Sequence, residues 1–217
     1  VGHELDQPAA GVVHSAGVSA LAPLRLATPE SFERLWKVNY LVPLRLTQSL
    51  LKAGRIVGGG SIVFIGSISA DIGVAGVSAY AGTKAALAAS ARCLAMEVSK
   101  RGIRVNTVAP GIVETEMAAA GADMLGDTME RQRADYPLGF GKPEDVAHLA
   151  AFLVSDAGRW ITGTSVVIDG GRTIGGRGDE ARDHRNRQQT DQDAVIGHDQ
   201  PHVPVENAVH DLWDPAL

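Results

Sequence analysis

Four short runs of β-branched residues, each nearly unbroken in apolar character, constrain this chain more than any other feature. They are Ala10–His14 (AGVVH), Ser61–Gly66 (SIVFIG), Ile103–Ala109 (IRVNTVA) and Ser165–Asp169 (SVVID). A strand with one face in water alternates apolar and polar positions, whereas one covered on both faces reads as a continuous run. Helical stretches lie between them. Thr28 and Pro29 supply a cap and a first helical residue for a helix expected to reach Leu51, kinked at Pro43. Ser78–Lys100, rich in alanine and ending before Gly102, reads as a second helix. Lys142-Pro143-Glu144-Asp145 opens another, running to about Ser155. Alternating strands and helices imply right-handed crossovers and parallel pairing. The expected fold is α/β: an incomplete doubly wound parallel sheet of about four strands, flanked by helices. An all-helical bundle does not suit the valine and isoleucine clusters.

Composition narrows the class. With 217 residues, 45% hydrophobic and 21% charged, the chain can bury one sizeable core. Its 20 basic and 25 acidic side chains leave a net charge of −5, which argues against a nucleic-acid partner. The single cysteine, Cys93, excludes a disulfide framework and fits a reducing compartment, so a cytoplasmic location is expected. No apolar run approaches the ~20 residues that span a bilayer, and no signal-peptide pattern opens the chain. The composition shifts after Arg172. From Gly175 the sequence is polar, and His184, His198, His202 and His210 match no standard metal-ligand spacing. Residues 1–174 therefore read as the folded domain and 175–217 as a polar tail, disordered or loosely packed, with no metal site expected.

The strongest chemical constellation is Tyr80-Ala81-Gly82-Thr83-Lys84. Residues four apart share a helix face, so the Lys84 ammonium can approach the Tyr80 phenol and favour its ionised form. A tyrosine of that kind can serve as a proton donor and acceptor near neutral pH. Taken alone the pair also fits a solvated helix face. Ser67 changes the balance: it follows SIVFIG at the carboxyl end of a strand, where open α/β sheets bind ligands. A hydroxyl there can donate to an oxygen that develops negative charge.

Together with Asn39 in Trp36-Lys37-Val38-Asn39, the residues Ser67, Tyr80 and Lys84 resemble the catalytic tetrad of the short-chain dehydrogenase/reductase family. His14-Ser15-Ala16-Gly17 is similar to the family's Asn-Asn-Ala-Gly, with two asparagines replaced. Pro110-Gly111-Ile112-Val113-Glu114-Thr115 matches its Pro-Gly-x-x-x-Thr nicotinamide loop. Ile161-Thr162-Gly163 and Val167-Ile168-Asp169-Gly170-Gly171 resemble its closing segment. Tyr136-Pro137-Leu138-Gly139 with Gly141-Lys142-Pro143-Glu144-Asp145 looks most like the 3-oxoacyl-carrier-protein reductases. The resemblance covers about residues 5–174. It implies a Rossmann-like fold, NAD or NADP as cofactor, and a small ketone or secondary alcohol as substrate. It also implies roles: Tyr80 as acid/base, Ser67 polarising the carbonyl oxygen, Lys84 lowering the tyrosine pKa and binding the nicotinamide ribose, and Asn39 holding a relay water. Ser15, Ala16 and Gly17 line the cofactor groove, and Pro110, Gly111, Val113 and Thr115 form the nicotinamide loop. Two of these also admit plain structural readings: Asn39 as a helix residue tied to backbone, Thr115 as a helix cap.

Family members open with Thr-Gly-x-x-x-Gly-x-Gly, whose amides face the pyrophosphate. No such turn precedes Ala10 here, so weak cofactor binding is expected, with Ala10–His14 as an exposed edge strand. The alternative is a cofactor-deficient, truncated homologue acting as a binding or assembly module, or without function. The helices over Thr28–Leu51 and Ser78–Lys100 resemble those through which family members dimerise, and a homo-oligomer is expected. The segment from Glu116 to Tyr136, with Met117, Met124, Leu125 and Met129, is expected to shape the substrate site or form a lid.

Overall fold

The computed structural model describes residues 7–119 and 132–174. Four strands form one parallel sheet in the order of the sequence: β1 (Ala9–His14), β2 (Ile56–Ile65), β3 (Arg104–Pro110) and β4 (Ser165–Ile168). The central pair follows from the continuous apolar runs. Side chains alternate sides along a strand, and here each side meets a helix. Ile62, Phe64 and Val105 pack with Leu87, Ala91, Ala95 and Val98 on one face. Val63 and Val108 pack with Ala150 and Leu153 on the other.

Burial on both faces holds for β3 and most of β2, but not for the outer strands. Val13 of β1 is 43% exposed and Val167 of β4 46%. β1 is an edge strand, as expected, and half of it faces outward. The start of β2 also differs from expectation, beginning at Ile56 rather than Ser61. Gly58, Gly59 and Gly60 form an irregular stretch in which β2 takes five residues to advance while β1 takes two. Gly59 occupies the left-handed region at φ 80°. Gly60 has no room for a side chain, since a Cβ would lie 3.0 Å from the carbonyl oxygens of Ala10 and Val57.

The first helical region starts as its cap residues dictate. Thr28 Oγ1 accepts from the Ser31 N–H at 3.3 Å, and Pro29 occupies the first helical position. Just before Pro43, where a kink is expected, the helix changes register. Helix α1 (Pro29–Trp36) passes into a π turn (Lys37–Leu41) and then into α2 (Val42–Lys52), with helical dihedrals at Leu41 and Val42. Pro43 offers no N–H to the carbonyl four residues back, and its ring crowds that carbonyl. The wider π register, in which the Val42 N–H reaches Lys37 O, absorbs the conflict ahead of the proline. Helix α3 (Ser78–Val98) ends two residues before the expected Lys100. A 3₁₀ turn follows, and then Gly102 at φ 69°. Helix α4 (Pro143–Val154) begins with Asp145 Oδ2 accepting the Lys142 N–H at 2.7 Å. Its far end is tied to β3 by the buried Arg104 guanidinium, which donates to the carbonyls of Leu153, Ser155 and Gly158.

Candidate functional site

Parallel pairing sends β1, β2 and β3 out at the same edge of the sheet, where the candidate residues gather. Ser67 leaves β2 with extended backbone (φ −168°, ψ 149°) and caps a 3₁₀ turn over Ile68–Ala70. Gly66 lets it do so. A Cβ there would stand 2.7 Å from Thr107 Cγ2, so only glycine allows β2 to lie this close to β3. Tyr80 sits in the first turn of α3, with its hydroxyl near enough to Ser67 for that side chain to act on it. One turn further, Lys84 is 5% exposed. Its ammonium lies 5.6 Å from the Tyr80 ring centroid and donates to Ile65 O at 2.9 Å.

Asn39 lies in the π turn, buried at 1% exposure. Its Oδ1 accepts the Val18 N–H and its Nδ2 donates to Val18 O, both at 2.9 Å. The backbone-tied reading of this side chain therefore holds. Its carbonyl is a separate matter, because a regular helix would pair it with position 43, where Pro43 has no N–H. The Asn39 side chain thus holds the loop after β1, and through it Gly17. A Cβ at Gly17 would fall 3.4 Å from Asn39 Oδ1 and 3.6 Å from Lys84 Nζ, so glycine leaves the space above both polar groups open. Ser15 and Ala16 are exposed beside it.

The expected electrostatics of Tyr80 need correction. Burial pushes the phenol's pKa up, and the Ser67 hydrogen bond offsets only part of that rise. Lys84 does not reverse it, for a physical reason. Lys84 is itself buried, which lowers its own pKa to about 8, and its ammonium is engaged with the Ile65 carbonyl. Tyr80 is accordingly a protonated phenol at neutral pH.

At the exit of β3, Pro110 is buried and the Gly111 N–H donates to Ile168 O at 3.0 Å. A Cβ at Gly111 would collide with Tyr136 Cε1 at 2.8 Å. Val113 forms a parallel bridge to Gly141. Thr115 accepts the Ala118 N–H and donates to Val113 O, both at 3.3 Å, so it does cap a helical turn. It also lines an open cavity of about 470 Å³ with Ile112, Glu114, Arg133 and Phe140. Asn39, Ser67, Tyr80, Lys84 and Gly17 thus form one cluster, and Pro110–Thr115 lies at the neighbouring strand end. Met117 is 43% exposed, while Met124, Leu125 and Met129 fall outside the described residues, as does the tail from Gly175.

Several participants escape a sequence reading. Thr83 Oγ1 accepts from Asn39 Nδ2 at 3.3 Å and donates to Tyr80 O at 2.7 Å. Tyr136 accepts the Ile112 N–H at 3.1 Å, and Ser69 donates to Ser67. Ser69 leaves the Ser-x-Ser spacing as a signal, while Thr83 and Tyr136 sit inside motifs already quoted without a role of their own. Among the described residues no group of three His, Cys, Asp or Glu side chains could hold a metal, and no helix is long and apolar enough to cross a membrane. A half-buried phenol beside a hydroxyl and an ammonium can protonate an oxygen placed between the two hydroxyls.

The chain is similar to several known proteins. An uncharacterized oxidoreductase of Methylorubrum extorquens is 40% identical over 162 residues, covering 74% of this chain and 64% of that protein. A 3-oxoacyl-[acyl-carrier-protein] reductase of Chlamydia pneumoniae is 35% identical over 164 residues, covering 75% and 64%. A solved structure of a blue fluorescent protein from a metagenomic library, in complex with NADPH, superposes with a TM-score of 0.70 at 35% identity, covering 76% of this chain and 65% of that one. The chain thus spans a little under two thirds of the length of these relatives. The family model described as enoyl-(acyl carrier protein) reductase matches residues 5–173. With that match running from before β1 to beyond β4, the chain belongs to the short-chain dehydrogenase/reductase family.

Proposed function

We propose that this chain carries the reacting half of an NAD(P)-dependent oxidoreductase that reduces a ketone to a secondary alcohol. The observation that supports it most is the half-buried Tyr80 phenol, on which Ser67 acts, one helical turn from Lys84. Reduction needs a proton donor, and a phenol whose pKa is raised by burial holds its proton at neutral pH. Ser67 polarises the carbonyl oxygen, and Tyr80 delivers the proton to that oxygen as the alcohol forms. Oxidation would run the same pair in reverse and would need a higher pH to ionise Tyr80.

The residues present suit the nicotinamide end of such a cofactor. Gly17 leaves open the space over Lys84 Nζ and Asn39 Oδ1 that a Cβ would narrow. A bound NAD(P)H would supply the hydride. Lys84 would hold the nicotinamide ribose, Val113 and Thr115 the carboxamide, and Ser15–Gly17 the groove wall. The Asn39 carbonyl, without an α-helical donor from Pro43, would hold a relay water. These 217 residues contain no Thr-Gly-x-x-x-Gly-x-Gly turn, so we expect them to bind NAD(P) weakly by themselves. A 3-oxoacyl substrate is the finer reading, supported by the similarity to a 3-oxoacyl-[acyl-carrier-protein] reductase.

We also infer self-association through α1, α2 and α3. Phe32 and Trp36, both over 40% exposed, border an apolar depression with Ser78, Ala79 and Gly82. The deciding experiment follows NADPH oxidation at 340 nm with a β-keto ester, at saturating cofactor. Turnover that falls at least a hundredfold in Tyr80→Phe, and tenfold or more in Ser67→Ala, is the expected result. Turnover unchanged in Tyr80→Phe would remove the proposal.

A further inference from the structure

A serine hydroxyl has one proton to donate and two lone pairs to accept with. At Ser67 a single neighbour takes both acceptor positions. The Ser69 backbone N–H points at Ser67 Oγ from 3.2 Å, and the Ser69 hydroxyl donates to the same oxygen at 2.9 Å. Capping the 3₁₀ turn requires the first of these bonds but not the second. With its lone pairs filled, Ser67 has only a proton to offer, and Tyr80 is the partner within reach.

We propose that Ser69 is a positioning residue of this site, which saturates the acceptor capacity of Ser67 and so obliges Ser67 to act as a donor. Two consequences follow for the reacting pair. Ser67 cannot accept the phenol's proton, which leaves that proton free for the substrate oxygen. Ser67 keeps its one proton to donate, to the carbonyl oxygen when substrate is bound and to the Tyr80 oxygen when it is not, and the second agrees with the direction in which it shifts Tyr80. Ser69 is half-buried, so water competes poorly for its hydroxyl. The inference rests on the reading of Ser67 and Tyr80 as the reacting pair.

The test uses the full chain with a ring-fluorinated tyrosine at position 80, titrated by fluorine NMR. This readout needs neither cofactor nor turnover. Ser69→Ala should raise the Tyr80 midpoint by about half a pH unit, roughly threefold in the equilibrium, as expected for one weakened hydrogen bond. Ser69→Thr, which keeps the hydroxyl, should leave the midpoint in place. In a Ser67→Ala background, Ser69→Ala should produce no further shift. A midpoint unmoved by Ser69→Ala, or an equal shift in the absence of Ser67, overturns the assignment. A chain that fails to oxidise NADPH yet shows the Ser67-dependent shift refutes the oxidoreductase reading and leaves Ser69 in its role. Turnover with an unmoved midpoint does the reverse.

Discussion

Lys84 carries its charge into the interior, where its ammonium donates to the Ile65 carbonyl. Burial lowers its pKa from 10.5 to about 8, so between those values the unfolded chain binds more protons than the folded one. Stability should therefore rise as pH increases from about 8 to 10.5, by at most about 3 kcal/mol. Urea melts across that window should show the rise in the wild type and lose it in Lys84→Met. If the ammonium also serves the reaction, kcat/KM should fall above about pH 8, since that ratio reports the free enzyme. Gly66 poses a purely steric test. Gly66→Ala forces a Cβ to within 2.7 Å of Thr107 Cγ2 and should cost about 1–3 kcal/mol in thermal melts. Adding Thr107→Ser removes that methyl and should recover part of the loss. Tyr80, Lys84 and Ser67 could be found in the sequence because four-residue spacing and a strand end carry geometric meaning. The sign of the Tyr80 shift could not, because desolvation depends on everything packed around the ring.

Elements are joined by polar ties whose partners lie far apart in sequence. His14, at the end of β1, stacks on Phe64 at 4.9 Å between ring centroids and meets Thr47 Oγ1 of α2 at 2.8 Å. Thr47 in turn donates to Pro43 O, just after the π turn that holds Asn39. Burial lowers the His14 pKa below 6.5, so the folded chain resists its protonation. The sign is the opposite of a salt-bridged histidine: stability is full above about pH 6.5 and falls as the pH drops below it. His14→Asn should flatten that acid limb in denaturant melts between pH 7 and 5, and an unchanged limb would count against His14 as its source. Helix starts were legible because Thr28-Pro29 and Lys142-Pro143 act locally. The π turn was not, since Pro43 announces a conflict without saying where the helix will absorb it. The early start of β2 was hidden by its glycines, whose backbone freedom suits an irregular strand as well as a turn.

Among the described residues, the strands at both ends of the sheet are only partly covered. Val13 on β1 and Val167 on β4 are each over 40% exposed, as are Phe32, Trp36 and Leu46 on the first helical region. Self-association through α1 and α3 predicts a species of at least twice the chain mass in sedimentation velocity at micromolar concentration. Trp36→Glu should shift it toward monomer without unfolding the chain, because that ring is 43% exposed. Local rules in the sequence determined the strand runs, the helix caps, the parallel α/β class and the Ser67–Tyr80–Lys84 spacing. They sufficed because periodicity, capping and helical pitch act over a few residues at a time. Only the tertiary structure decided that the Asn39 side chain binds Val18, that burial outweighs Lys84 at Tyr80, and that Ser69 fills the acceptor positions of Ser67. Those outcomes depend on dielectric and on lone-pair occupancy, which are set by atoms that folding brings together.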